Sequence, residues 1–183
     1  GTGTPWYEAD VGIVGDRITR VGNLSEATAP QVIDATGLIV APGFIDPHTH
    51  ALRGIFDVPN AESALLQGVT TLTEGNDGSS PYPIDRHYAD IQDLRISPNW
   101  AVFVGQGTIR QRVIGFGLRK ASPQEMDRMK QMVRDAMEQG ALGISTGLFY
   151  VPGSFTSTEE VIELSKVAAE YNGIYISHIR EEA

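Results

Sequence analysis

Between Phe44 and Ser177 the chain repeats one pattern: a short apolar, β-branched run, a break rich in Gly, Asn or Asp, then a polar or helical stretch. Apolar strands separated by helices cannot pair as hairpins, because each helix carries the chain back to the end of the sheet where the strand began. The pattern therefore predicts an α/β fold with a parallel sheet. The strand segments are Phe44-Ile45-Asp46, residues 69–74, 100–104 and 141–146, and Ile174 to Ser177. A helical stretch over residues 61–67 is closed by Gly68. A second helix opens at Ser122-Pro123-Gln124-Glu125, a capping box with proline at the first helical position. Its Met126, Met129, Met132, Val133 and Met137 recur at helical spacing and are expected to pack in the core. A third helix is capped by Ser157 or Thr158 and ended by Asn172-Gly173. The polar stretch Asp85-Arg86-His87-Tyr88 reads as a loop, with His87 on the surface.

Residues 1–41 lack any helical period. Val11 to Val14 and Ile18 to Val21 flank Gly15-Asp16 and read as a β-hairpin. Val32-Ile33 and Leu38-Ile39-Val40 around Thr36-Gly37 read as a second hairpin-like piece. Two regions are thus expected, 1–41 and 42–183. A barrel of eight strand–helix units typically takes about 250 residues, and only about five strand segments are legible here. The second region is accordingly expected to be part of a (β/α)8 TIM-like barrel. It stops at Glu181-Glu182-Ala183, where the next helix would begin.

Charge and composition remove several functions. Lys and Arg number 14 against 23 Asp and Glu, a net charge of −9, so no basic stripe is available for nucleic acid. No apolar run approaches the roughly 18 residues of a membrane helix, and no signal peptide is visible. There is no cysteine, hence no disulfide, thiolate ligand or thiol nucleophile. A cytoplasmic setting is the default expectation, and the oligomeric state cannot be read.

The chemistry concentrates in Pro42-Gly-Phe-Ile-Asp-Pro-His48-Thr-His50. Because side chains alternate along extended backbone, His48 and His50 project to the same side, a good start to a divalent metal site. The alternative is a pair of surface histidines just past a strand. The C-terminal ends of barrel strands are where active sites of such folds gather, which favours the metal. His178, at the end of the last strand segment, has the same placement.

The run Asp34-Ala-Thr-Gly37-Leu-Ile-Val-Ala-Pro-Gly43-Phe-Ile-Asp46-Pro-His48-Thr-His50 resembles the entry sequence of the amidohydrolase superfamily. Gly68-Val-Thr-Thr-Leu-Thr-Glu-Gly-Asn-Asp-Gly78, Ser145-Thr-Gly147-Leu-Phe-Tyr150-Val-Pro-Gly153 and Ile176-Ser-His178-Ile-Arg180-Glu181 are similar to motifs of its N-acyl-D-amino-acid deacylase branch. The resemblance implies that residues 1–41 are the N-terminal share of a small β-sandwich preceding the barrel. It implies one or two zinc ions, the tighter at His178 and a second position at His48 and His50. Asp77 falls where the family commonly has a cysteine ligand. A carboxylate there is an acceptable ligand and a harder one, so Mn, Fe or Co become possible. Glu74 is a rival ligand, and Asp77 could instead be only a turn former. With no lysine near the fourth strand segment, a carbamylated-lysine bridge is not expected.

Tyr150 matches a family tyrosine near substrate and is a candidate to contact the developing oxyanion, with packing as the competing role. Gln106 stands where the family has a histidine. Arg110 and Arg180 could meet an acidic substrate group, but pairing with Glu181 and its neighbours is the preferred expectation. The implied reaction is hydrolysis of an N-acyl-D-amino acid, a small-molecule substrate, to a carboxylate and a free D-amino acid. Sister activities, a D-residue dipeptidase or a cyclic-amide hydrolase, share these motifs, and a non-catalytic binding domain could retain the fold. By the same resemblance the general base and a further histidine ligand lie beyond Ala183, so these 183 residues alone are expected to be inactive.

Overall fold

The computed structural model describes Gly3 and residues 5–181. The chain divides into two compact units, Gly1–Pro42 and Gly43–Ala183. In the first, strands β1 (Asp10–Val14) and β2 (Arg17–Gly22) form the expected antiparallel hairpin. Gly15 supplies the left-handed turn residue, with φ +62°. A bulge falls between Gly12 and Ile13. The second hairpin-like piece does not form. Residues 31–40 make only local turns, Thr36 N–H to Asp34 Oδ1 (3.0 Å) and Leu38 N–H to Ala35 O (2.9 Å). Arms of three residues cannot sustain a two-stranded ladder without a third strand. Their apolar side chains stay exposed, Ile39 at 89%.

In the second unit every strand pairing is parallel. Strand β3 (Phe44–Asp46) pairs with β4 (Val69–Glu74), and β4 with β5 (Asn99–Val102). The next strand, β6 (Val104–Gly105), pairs with β7 (Gly143–Gly147), and β7 with β8 (Ile174–His178). The segment expected as one strand over 100–104 is thus divided at Phe103. There Phe103 N–H still reaches Glu74 O at 2.8 Å, while its carbonyl occupies the space that a Cβ on Gly75 would fill. Helices α1 (Glu62–Leu65), α2 (Ile84–Leu94), α3 (Gln106–Val113), α4 (Pro123–Glu138) and α5 (Thr158–Glu170) lie between strands in the chain. Among the described residues no helix is long and apolar enough to cross a membrane.

The core lies between helices and strands. Val102, Val104 and Ile144 from the strands meet Ile84, Ile109, Met129, Val133, Met137, Leu164 and Val167 from α2 to α5. The methionine stripe of α4 packs as expected, with Met126 and Met132 at its partly buried margin. The capping box is complete: Glu125 N–H donates to Ser122 Oγ (3.3 Å) and Ser122 N–H to the Glu125 carboxylate (2.8 Å).

Two expectations are overturned here. Residues 85–88 are not a loop but the start of α2. Ile84, His87, Tyr88 and Ile91 fall on one helical face, a period masked by the charged residues between them. His87 is buried, 5% exposed, and its Nε2 accepts a hydrogen bond from Trp100 Nε1 (2.9 Å). Burial lowers its pKa from the ordinary 6.5, only partly opposed by Asp90. Arg110 and Arg180 do not pair with Glu181, and its neighbour Glu182 lies outside the described residues. Arg110 is fully buried, bound to the buried Glu160 at 2.6 Å and to Arg119 O. Arg180 donates to the carbonyls of Ser154 (3.4 Å) and Thr156 (3.0 Å).

Removing one partner of a buried ion pair leaves an uncompensated charge, which typically costs about 3–5 kcal/mol. Glu160→Ala is therefore expected to lower the denaturant midpoint sharply, whereas Lys130→Ala, which breaks a more exposed pair with Glu163, should change it little. His87 gives a pH signature. Its folded pKa is depressed, so the unfolded chain takes up the proton first and stability falls as pH drops below about 6.5. Unfolding midpoints measured at pH 7.5 and 5 should show a smaller decline in His87→Gln than in the wild type.

Candidate metal centre

The chain leaves β3 at Asp46, whose Oδ1 accepts the His48 N–H at 3.1 Å. Thr49 then turns toward β4: its N–H and its hydroxyl both reach Thr73 O (3.1 and 2.8 Å), and the hydroxyl also meets the Glu74 carboxylate. His48 and His50 lie just past the strand rather than in it. With Thr49 fastened to β4 between them, both imidazoles face Asp77.

Asp77 arrives from the loop after β4, where Gly75 (φ +79°), Asp77 (φ +55°) and Gly78 (φ +75°) adopt left-handed backbone. Asp is among the few non-glycine residues that tolerate this region. The loop is packed backbone to backbone. A side chain on Gly147 would overlap the Asp77 carbonyl, and one on Gly105 would overlap Gly78. Ser145, fully buried on β7, accepts the Gly78 N–H (3.1 Å) and donates to Gly75 O. Asn76 ties the loop to the histidine segment by donating to Thr49 O and Thr73 O at 3.0 and 3.1 Å.

The result is a three-donor group. Asp77 Oδ2 lies 3.3 Å from His48 Nε2 and 3.4 Å from His50 Nε2. An imidazolium–carboxylate hydrogen bond would be about 2.7–2.9 Å long. Two donors bound to one tetrahedral zinc at about 2.0–2.2 Å would instead lie about 3.3–3.6 Å apart. The observed spacings match the edges of a coordination shell. Among the described residues the second carboxylate oxygen, Asp77 Oδ1, is buried without a hydrogen-bond partner, as is Asn76 Oδ1. A buried anion so placed is costly unless a cation compensates it. The donor set, nitrogen and oxygen only, suits zinc and harder divalent ions alike.

Glu74, the rival, is buried but outside this group. Its carboxylate is engaged by Thr49, and burial pushes its pKa up, offset in part by Thr49, the backbone at Ala51 and Leu52, and His50. His178 also lies outside the group. It ends β8 opposite Gly147, with Nδ1 at 2.9 Å from Ile179 O and its ring 4.9 Å from that of Tyr150. Tyr150 lines a cleft of about 410 Å³ together with His50, Glu74, Asp77, Gln111 and Arg53. Gln106 is not in that cleft. It is fully buried and donates to Thr156 Oγ1 (2.8 Å) and Glu160 Oε1 (2.9 Å). Sequence reasoning missed Thr49, Asn76 and Ser145, which position the donors; the only signal was their place inside the motifs.

Residues 31–174 match the amidohydrolase family. The chain belongs to this family. Among curated relatives, it is 39% identical to a D-aminoacylase and 36% to an N-acyl-D-glutamate deacylase, both from Alcaligenes xylosoxydans xylosoxydans. Each match takes in 100% of this chain and 42% of the relative. Among solved structures, the N-acyl-D-glutamate deacylase of Bordetella bronchiseptica, complexed with zinc and a phosphonate inhibitor, matches with TM-score 0.93 and 33% identity. A D-aminoacylase with a binuclear metal centre matches with TM-score 0.87 and 36% identity. Both matches cover 99% of this chain and 43% of the other. The parallel strand–helix units are thus part of the amidohydrolase barrel, and the amidohydrolase chain spans well under half the length of these relatives.

The glycine contacts predict that Gly147→Ala drives the 75–78 loop out of place. Overpacking of this kind costs about 1–3 kcal/mol, measurable as a lower thermal midpoint. Gly54→Ala, whose Cβ would meet nothing within 4 Å, should leave the midpoint unchanged.

Proposed function

We propose that the full protein is a metal-dependent hydrolase that cleaves the amide bond of N-acyl-D-amino acids, releasing a carboxylate and a free D-amino acid. The observation that carries the reading is the spacing of His48, His50 and Asp77 at coordination-edge distances beside a buried carboxylate oxygen that has no hydrogen-bond partner among the described residues. The open cleft beside these donors and the deacylase names of the relatives support it.

In this reading His48, His50 and Asp77 hold a divalent ion, zinc or a harder metal, and His178 binds a second or shared position from the end of β8. A bound ion of this kind acidifies water and polarises a carbonyl. The chain's own contribution is placement. Thr49 orients the two imidazoles, Asn76 and the glycine-packed loop fix the carboxylate, and the Tyr150 hydroxyl, on the cleft wall, donates to the oxygen that gains charge as the amide is attacked. Asp77 is favoured over Glu74 as the ligand because its carboxylate faces both histidines, while that of Glu74 is taken up by Thr49.

Metal content of the purified full-length protein, measured by mass spectrometry, tests the reading. His48→Ala and Asp77→Asn are each expected to lose at least half of the bound metal. Asparagine accepts left-handed backbone as well as aspartate does, so Asp77→Asn should keep its thermal midpoint in the presence of chelator. A full-length protein that holds no divalent ion, or an Asp77→Asn variant that binds metal like the wild type, would overturn the assignment.

A further inference from the structure

We propose that Glu74 is a positioning residue of the metal centre: from β4 it grips Thr49 and the turn after His50, and so sets the aim of both imidazoles without itself binding the ion. This rests on the metal-dependent hydrolase reading. Glu74 ends β4 and is buried, 3% exposed. Among the described residues no lysine or arginine pairs with it. A buried carboxylate without a cationic partner is costly, and apolar residues often replace buried charges without loss of stability. What this carboxylate does touch is the histidine segment.

Proton counting makes Glu74 the partner of the Thr49 hydroxyl. The Thr73 carbonyl faces three donors: the Thr49 N–H and the Asn76 amide, each at 3.1 Å, and the Thr49 hydroxyl at 2.8 Å. A carbonyl oxygen has two lone pairs, and a hydroxyl carries one proton that rotates to suit its surroundings. With the two N–H donors on Thr73 O, the hydroxyl proton goes to the Glu74 carboxylate. The backbone N–H groups of Ala51 and Leu52 lie beside the same carboxylate and favour its charged form. They open the short turn Ala51–Arg53, which begins at His50 without a side-chain cap of its own. Thr49 before His50 and Ala51 after it are thus held by one carboxylate of the neighbouring strand. His48 is held from its own side, its N–H 3.1 Å from Asp46 Oδ1. Beyond Glu74 the chain enters the turn that carries Asp77, so one segment both supplies the carboxylate donor and braces the two imidazoles.

Zinc titration of the metal-free full-length protein tests this. Glu74→Met removes the acceptor at nearly constant size, and Thr49→Val removes the hydroxyl. Each is expected to raise the zinc Kd about ten- to a hundredfold, the usual cost of losing a group that orients a metal ligand. Because Glu74 acts through Thr49, the double variant should bind zinc within about threefold of the weaker single variant. Glu74→Gln, which keeps an acceptor oxygen, should recover part of the loss. The thermal midpoint of Glu74→Met in chelator should equal or exceed that of the wild type, a result that a merely structural carboxylate would not give. Losses that multiply in the double variant would mark Glu74 as acting on the ion directly and overturn the proposal. So would a zinc Kd unchanged in Glu74→Met, or a lowered midpoint in chelator. If the wild type binds no zinc, the metal reading fails by itself, and amide hydrogen exchange of the metal-free wild type and Glu74→Met then decides the role of Glu74. Faster exchange across residues 48–53 in the variant sustains it, and equal exchange overturns it.

Discussion

The candidate centre depends on one backbone contact, the wedging of the Gly75–Gly78 turn against Gly105 and Gly147. Neither strand has room for a side chain where the turn arrives. The Asp77 carbonyl occupies the space that a Cβ on Gly147 would fill, so main-chain packing fixes the backbone from which the carboxylate projects. Ser145 and Asn76 close the arrangement with hydrogen bonds from β7 and toward Thr49. A donor set held in this way is organised before any ligand arrives, which is what a site needs if binding energy is not to be spent on ordering it.

The opposite side of the cleft is fixed by a different kind of interaction. Glu160, at the start of α5, accepts from Gln106 and Arg110 of α3, while Gln106 also holds Thr156. Arg180 reaches the carbonyls of Ser154 and Thr156 from beyond β8. The segment bearing Tyr150 is thus anchored at its far end by the buried polar groups of Gln106, Thr156 and Glu160. This also gives a physical account of Gln106, which stands where the family has a histidine: its amide serves a structural network with Thr156 and Glu160.

What was legible in the sequence had short-range physics behind it. The capping box at Ser122 and Glu125, the methionine stripe of α4, the Gly15 hairpin and the paired histidines each follow from spacing along the chain, and each stands in the structure. What was missed required knowledge of partners distant in sequence. His87 looked like a surface residue because its helix is rich in charge, yet Trp100, thirteen residues on, buries it and bonds it. Arg110 was expected to pair with Glu181, when its partner Glu160 lies fifty residues away. Residues 31–40 have strand-like composition without a strand to pair with, and composition alone does not make a ladder. Asp77 was poised between ligand and turn former; it stands in a left-handed turn and its carboxylate faces His48 and His50, so the turn geometry is compatible with the proposed ligand role.

That compatibility has an evolutionary consequence. Because main-chain packing holds position 77, the residue there is constrained in size and backbone preference but not in donor chemistry. In the reading proposed above, where position 77 holds a divalent ion, the identity of that ion can drift through substitutions at a single codon while the rest of the fold stays unchanged. Metal preference and folding stability become separately adjustable traits of the same scaffold.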